Sequence, residues 1–291
     1  MIITLKNDQL TVSIEDVGAQ LCSVTNSAGS EYIWQADPAV WPRHAPLLFP
    51  VIGRLLDGQY TLNGQTYAIG AHGFARDSRF EVQEQTDTRV VFVLTDSPDT
   101  LKVYPFAFQL TVTYELVGNQ LKKSCAVENR SGETMYFELG GHDGFCIPAG
   151  ESMDDYAILL TGLDTFLPYG MDAACMLTPK GEAIAPPQGR IPLKPMPNYG
   201  LDTIVVDAPP SHTAQLVNKD NQPRVTLEFA DYDYLGLWTM DLPTDTNYVC
   251  IEPWTTLPDA TFVGRDLSEK QGIRALAAGE VQTITYTTTF H

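Results

Sequence analysis

The chain has 291 residues, of which 44% are hydrophobic and 19% are charged, a composition typical of globular proteins and not of disordered or fibrous ones. Its 36 acidic and 18 basic residues give a formal net charge of -18. Repulsion from this charge disfavours binding to nucleic acid or to an anionic membrane surface, so we expect neither partner.

The cysteines and the first residues indicate the cellular environment. The five cysteines are scattered and contain no CxxC pair, which disfavours a disulfide framework and a thiolate zinc site. The opening MIITLKNDQ lacks a basic segment followed by an apolar one, and no apolar run approaches the ~18 residues of a membrane span. We therefore expect a cytoplasmic protein.

Short runs of β-branched and aromatic residues recur between turn-forming residues along the chain. In chain order, alternating apolar and polar residues predict strands in QLTVSIED, VVFVLT, FQLTVTYEL and VQTITYTTTF. Between GQYTL and QTYAIG lies Asn63-Gly64, a dipeptide that favours the positive φ angles of a type I′ turn. We expect an antiparallel hairpin there.

No stretch combines a helical hydrophobic period with caps, so any helix should be one or two turns long. The predicted fold class is all-β, and a strand spacing of about 8 to 12 residues fits a large sandwich or barrel. Six prolines between Pro179 and Pro197 predict a long surface loop. We find no reason to divide the chain there, and we expect a single domain over residues 1–291.

Two histidines stand beside glycines at predicted strand ends. In AHGFARDSRF, His72 has small neighbours that leave room for a ligand, and Arg76 follows closely. In YFELGGHDGF, Gly140 and Gly141 permit a bulge or a close backbone approach just before His142. An imidazole exchanges protons near neutral pH, although a histidine satisfied within a turn explains either pattern equally well.

Three further candidates lie at predicted strand ends or on predicted strands. Glu252 follows an apolar run in YVCIEPWTTLPDA, and a buried carboxylate must be paired or functional. Trp254, two residues later, could line a sugar site. Asp202 begins the strand in GLDTIVV, where an acidic residue also serves as a turn cap.

Two other interpretations use the same residues. His72, His142 and Glu252 could form a two-histidine, one-carboxylate metal site, but no HxH or HExxH spacing supports it. Asp202 and Glu252 could be the paired carboxylates of a glycosidase, which would leave His142 without a role. The GxSxG, GxGxxG and Walker A motifs are absent, which argues against triad hydrolases, dinucleotide enzymes and P-loop NTPases.

Five segments in chain order, LFPVIGR, HGFAR, GGHDGF, GLDTIVV and IEPWT, resemble the aldose 1-epimerase (galactose mutarotase) family. The resemblance covers nearly the whole chain and is closest to the divergent bacterial branch found alongside lactose and galactose genes. It implies a β-supersandwich with few short helices, no metal and no organic cofactor. The implied reaction interconverts the α and β anomers of a hexose.

The resemblance also implies individual roles. Glu252 corresponds to the general base and His142 to the general acid, and His72 corresponds to the second histidine, which hydrogen-bonds a substrate oxygen. Arg54 corresponds to an arginine that contacts substrate, and Asp202 to the acid that holds sugar hydroxyls.

Two alternatives remain open. HGFAR is also similar to the hexose-6-phosphate 1-epimerase branch, in which Arg54, Arg76 and Arg43 would converge on a phosphate. From a different class, a sandwich carrying Trp254 and Trp238 could bind carbohydrate without turning it over. We expect a small-molecule hexose or hexose phosphate as the ligand, and a monomer or a homodimer.

Overall fold

Antiparallel strands dominate the computed structural model, which describes residues 1–172, 174–193, 203–240, 247–260 and 262–291. The strands of these residues are β1 (Ile2–Lys6), β2 (Leu10–Glu15), β3 (Gln20–Asn26), β4 (Leu47–Leu48), β5 (Gln59–Leu62), β6 (Gln65–Ala68), β7 (Glu81–Gln85), β8 (Arg89–Thr95), β9 (Phe108–Val117), β10 (Gln120–Asn129), β11 (Met135–Phe137), β12 (Gly140–Gly141), β13 (Asp143–Cys146), β14 (Tyr156–Leu160), β15 (Tyr169–Met171), β16 (Leu177–Lys180), β17 (Arg190–Pro192), β18 (Thr203–Asp207), β19 (Thr213–Asn218), β20 (Pro223–Glu228), β21 (Tyr234–Trp238), β22 (Tyr248–Trp254), β23 (Arg274–Leu276) and β24 (Val281–Phe290).

Helices are short, as the sequence predicts. Helix α1 spans Thr100–Val103, and single 3-10 turns occupy Leu56–Gly58, Ala75–Asp77, Met153–Asp155, Pro187–Gly189 and Leu267–Glu269. Within the described ranges, none of the helices has the length and apolar character needed to cross a membrane.

Two large sheets form the body of the fold. The first has nine strands in the order β17-β14-β19-β20-β24-β10-β9-β8-β7, and the second has the order β16-β15-β18-β21-β22-β12-β4, with β13 also paired to β22. Smaller sheets are β1-β2-β3, β11-β23 and β5-β6. Sequence neighbours therefore often pair, which suits antiparallel strands joined by short turns.

The two large sheets bury one shared apolar core. Leu110 and Val112 from β9 and Ile284 from β24 belong to the same buried cluster as Leu235 from β21 and Ile251 from β22. Face-to-face burial of alternating side chains is the defining feature of a sandwich. The all-β prediction is confirmed, and the architecture is a large antiparallel β-sandwich.

The hairpin predicted from Asn63-Gly64 is confirmed. Strands β5 and β6 pair directly from Leu62 to Gln65, and the two residues between them have φ angles of 51° and 76°. Those angles are the left-handed values that a type I′ turn requires.

The loop prediction for the proline-rich segment is wrong in part. Pro179 lies in β16, at the edge of one large sheet, and Pro192 lies in β17, at the edge of the other. Proline lacks an N–H donor but is accepted where one side of a strand is unpaired. The prolines therefore allow β16 and β17 to form as edge strands, although they would not suit the centre of a sheet.

Strand β22 positions the site. All seven of its residues are buried, with β21 paired to one of its edges, β12 and β13 paired to the other, and apolar clusters packed on both faces. Val249 and Ile251 face the main core, whereas Trp254 packs into a second cluster with Val205 and Tyr234 on the opposite face. By the two-residue period of a strand, Glu252 faces the same side as Trp254.

The loop that carries His72 depends on the glycine after it. Gly73 has a φ angle of 70°, and a Cβ atom there would lie 2.2 Å from the carbonyl oxygen of Phe49. Gly64 has a similar φ angle of 76° but no atom within 4 Å of the corresponding position. An alanine at Gly64 would therefore meet backbone strain alone, whereas an alanine at Gly73 would meet backbone strain and a steric clash.

We expect Gly64→Ala to lower the free energy of unfolding by about 1–2 kcal/mol, the cost of a left-handed non-glycine residue. Gly73→Ala should cost a further 1–3 kcal/mol, roughly the range for overpacking. Urea denaturation of both variants measures the difference. Equal losses in the two variants would show that the Phe49 contact relaxes without cost.

Candidate active site

A cavity of about 360 Å³ opens on the face of the β22 sheet that is turned away from the main core. Six predicted residues line it: His72, His142, Glu252, Arg54, Arg76 and Trp254. The seventh, Asp202, lies outside the described residues. Residues separated by as many as 200 positions in the sequence thus meet at one surface.

A carboxyl–imidazole pair lies at the base of this cavity. Nε2 of His142 is 3.4 Å from Oε2 of Glu252, and both side chains are almost completely buried. Gly140, two residues before His142, leaves room for the indole of Trp254, because a Cβ atom there would lie 2.8 Å from that ring, and a Cβ atom at Gly141 would lie 2.9 Å from the hydroxyl oxygen of Tyr286. The double glycine that the sequence shows before His142 therefore has a steric reason.

Burial favours the uncharged form of each member of the pair. It lowers the pKa of His142 to about 3, against an opposing hydrogen bond from its own backbone and with added repulsion from Arg76 and Arg43. Burial also raises the pKa of Glu252 well above its usual range; the Trp254 indole opposes this rise and Asp143 adds to it. The favoured resting state is a protonated carboxyl beside a neutral imidazole.

His72 occupies a strained backbone position and a defined tautomer. Its φ angle is 62°, a left-handed value that is uncommon for residues with a Cβ atom. The backbone N–H of Gly53 donates to Nδ1 of His72 at 3.1 Å, so the neutral ring carries its proton on Nε2. Burial, followed by repulsion from His142 and the nearby arginines, lowers the pKa of His72 well below its usual value. The ring is therefore a neutral N–H donor.

Aromatic side chains form one wall of the site; the sequence suggests Trp238 as a carbohydrate contact but does not mark Trp41. The ring of Trp41 stacks on His142 with centroids 5.0 Å apart, and Trp238 contacts both rings edge-on. Trp41 also stacks on Tyr248, the first residue of β22. An apolar aromatic face of this kind suits the C–H face of a sugar ring. Nothing in the sequence around Trp41 marks it as a site residue.

Three arginines give the cavity a positive rim. Arg43, Arg54 and Arg76 all line it. Asp77 pairs with both Arg43, at 2.9 Å, and Arg76, at 3.6 Å, so one carboxylate serves two guanidinium groups. Burial lowers the pKa of Arg76, and repulsion from Arg43 lowers it further against the attraction of Asp77. The local charge is opposite to the net charge of the chain.

Comparison with known proteins gives one consistent family. The aldose 1-epimerase family model matches residues 1–286. The chain belongs to the aldose 1-epimerase family. The chain is 29% identical over 283 residues to the protein LacX of Lactococcus lactis subsp. lactis, with 93% of each chain covered.

Solved structures agree with this family. A galactose mutarotase related enzyme from Lactobacillus acidophilus is 35% identical with a TM-score of 0.93, over 100% of this chain and 97% of that one. A galactose mutarotase-like protein from Lactobacillus casei is 31% identical with a TM-score of 0.89, and both chains are fully covered. The expected β-supersandwich of this family is thereby confirmed.

The structure brings together a different set of possible metal ligands from the His72, His142 and Glu252 set considered in the sequence. Among the described residues, His142, Cys250 and Glu252 place one ligand atom each within 4.8 Å of one another, and all three are buried. Cys250 replaces His72 in this set because it faces the same side of β22 as Glu252. Such ligands could hold a zinc ion, which would occupy both members of the carboxyl–imidazole pair.

The protonation state of His142 can be measured directly. We expect its ring to remain neutral at pH 5, because burial holds its pKa far below the ordinary value of about 6.5. Nitrogen-15 chemical shifts of the imidazole, assigned by comparison with a His142→Asn variant, report this state between pH 4 and 8. A midpoint near 6.5, or an imidazolium at pH 7, would contradict the prediction.

Proposed function

We propose that this protein is an aldose 1-epimerase that interconverts the α and β anomers of a hexose within one domain over residues 1–291. The observation that carries the proposal is the buried pair of Glu252 and His142, which are 3.4 Å apart at the base of a sugar-sized cavity. Family membership supports the same reaction class.

In the proposed reaction, Glu252 takes the proton from the C1 hydroxyl while His142 protonates the ring oxygen. The bond between C1 and the ring oxygen breaks and an open-chain aldehyde forms. Rotation about the C1–C2 bond, followed by closure with the proton roles reversed, gives the other anomer. The step needs no oxidant and no electron sink.

One proton shared by the pair is enough for this chemistry. The pair has no net charge whether the proton is on Glu252 or on His142, so moving it across the 3.4 Å gap gives the ionised form that the reaction needs. Burial disfavours that form before sugar binds. A bound sugar would stabilise it by accepting a hydrogen bond from His142 at the ring oxygen and donating one to Glu252 from the C1 hydroxyl.

The remaining residues would hold the sugar and stabilise charge. His72 would donate through Nε2 to an oxygen that gains negative charge as the ring opens. Arg54 and Asp202 would bind hydroxyl groups, and the Trp41 and Trp254 rings would contact the apolar parts of the sugar.

Glu252→Gln tests the base. We expect kcat for mutarotation to fall by about 10²–10⁴-fold, the usual contribution of a general acid or base. Folding should survive, because glutamine has the shape of the protonated carboxyl that burial favours here. Polarimetry of freshly dissolved α-glucose and α-galactose measures the rate.

The matched control for that experiment is Glu228→Gln, which makes the same change at an exposed position at the end of β20. It should keep the wild-type rate. An unchanged rate in Glu252→Gln would remove this residue from the mechanism.

A second candidate is a hexose-6-phosphate 1-epimerase, which the shared pairing of Arg43 and Arg76 with Asp77 favours. Two guanidinium groups beside one exposed carboxylate leave positive charge that a phosphate would neutralise. The acidic net charge would slow the approach of a dianion but would not prevent binding at the rim.

Rates on glucose and on glucose 6-phosphate separate the two candidates. A phosphate-specific enzyme should have the higher kcat/KM on glucose 6-phosphate, and Arg76→Gln should lower it by about 10- to 100-fold, the range for a hydrogen bond to a charged group. Arg130→Gln, at an exposed ion pair with Glu128, is the control. Equal or higher kcat/KM on free glucose would exclude the second candidate. Sugar binding with no acceleration on either compound would indicate a carbohydrate-binding protein instead.

A further inference from the structure

A buried lysine lies behind the cavity and pairs with two carboxylates. Nζ of Lys270 is 2.5 Å from Oε1 of Glu138 and 2.8 Å from Oδ1 of Asp259. The three side chains are 10%, 0% and 7% exposed. Ions this deep in a protein are costly unless each is paired, and removing one partner leaves an uncompensated charge.

The second oxygen of each carboxylate holds the backbone around Arg54. The N–H of Ile52 donates to Oε2 of Glu138 at 2.5 Å, and the N–H of Leu56 donates to Oδ2 of Asp259 at 2.9 Å. These two anchors flank Arg54 by two residues on either side. The backbone N–H of Asp259 also donates to the carbonyl of Arg54 at 3.3 Å.

The two carboxylates belong to the segments that carry the proposed acid and base. Glu138 is four residues before His142, and Asp259 is seven residues after Glu252. The segments are joined where the hydroxyl of Thr255 accepts the N–H of Leu139. Lys270 therefore lies where the chain segments of three site residues meet.

Lys270 has no direct access to a sugar. It is absent from the lining of the main cavity, as far as the described residues show, and lines instead a neighbouring cavity of about 320 Å³ behind Pro258. Burial lowers the pKa of Lys270, but attraction to Glu138 and Asp259 outweighs it, so the net pKa is raised and the ammonium stays charged.

We propose that Lys270 is a positioning residue whose ion pairs with Glu138 and Asp259 fix the backbone of residues 52–56 and thereby hold Arg54 against the bound sugar. This inference rests on the proposed function. Arg54 is itself exposed, so its side chain owes its placement to the backbone beneath it. Loss of Lys270 would leave two buried carboxylates in repulsion and release both anchors.

A double-mutant cycle distinguishes positioning from general stabilisation. We expect Lys270→Met to raise KM for mutarotation by about 10- to 100-fold, the range for a misplaced binding group. In an Arg54→Ala background the same change should alter KM little, because the group through which Lys270 acts is gone. Effects on KM that multiply independently would overturn the proposal, because a merely structural lysine acts regardless of Arg54.

Controls keep the test decisive. Lys102→Met removes an exposed ion pair with Asp99 and should leave KM unchanged. If Lys270→Met does not fold, the isosteric Asp259→Asn should show the same non-additivity with Arg54→Ala, and additive effects there would overturn the proposal equally. Urea denaturation confirms that each variant is folded under assay conditions.

Failure of the proposed function has a different signature. If the wild-type protein binds D-galactose in calorimetry but does not accelerate mutarotation, the proposed enzymatic activity is contradicted. The same double-mutant cycle would then be carried out with the Kd for D-galactose in place of KM. An active wild type with additive KM effects would contradict only the role of Lys270.

Discussion

The buried carboxyl group of Glu252 is the constraint on which the arrangement of the site depends. It lies on a strand whose seven residues are all buried, so an ionised form is poorly solvated there. The protein surrounds it instead with the His142 imidazole and the Trp254 indole. A carboxyl group held in this way stays protonated while the cavity is empty. Once ionised, it is a strong proton acceptor, because a ligand that donates a hydrogen bond to it stabilises the carboxylate.

Glycines make that neighbourhood possible. Trp254 lies over Gly236 on β21 and over Gly140 on β12, where added Cβ atoms would lie 2.6 and 2.8 Å from its ring. A Cβ atom added at Gly141 would likewise lie 2.9 Å from the hydroxyl oxygen of Tyr286. These glycines therefore leave the space that the Trp254 indole and the Tyr286 hydroxyl occupy.

Local patterns predicted the fold better than the site. Strand β24 and the Asn63-Gly64 hairpin follow from alternation and turn chemistry, which act between near neighbours. Neighbouring glycines marked His72 and His142 for the same reason. Trp41 left no local signal, because its partner His142 lies 101 residues further along the chain. Lys270 left none either, because Glu138 lies 132 residues before it, although its second partner, Asp259, lies only 11 residues before it. The neutral state of His142 also escaped prediction, because burial is a property of the assembled sandwich and not of the sequence around the ring.

The electrostatics of the cavity explain why neutral histidines suit this fold. The chain carries a net charge of -18, yet Arg43, Arg54 and Arg76 surround two imidazoles. A positive charge on His72 would be repelled by His142 and by these arginines. In addition, the backbone N–H of Gly53 already donates a hydrogen bond to Nδ1 of His72. The rings therefore remain available to donate and relay protons, while the arginines supply the positive potential. In the proposed reaction, this separation of fixed charge from mobile protons would let one site bind a sugar and still exchange a proton with it.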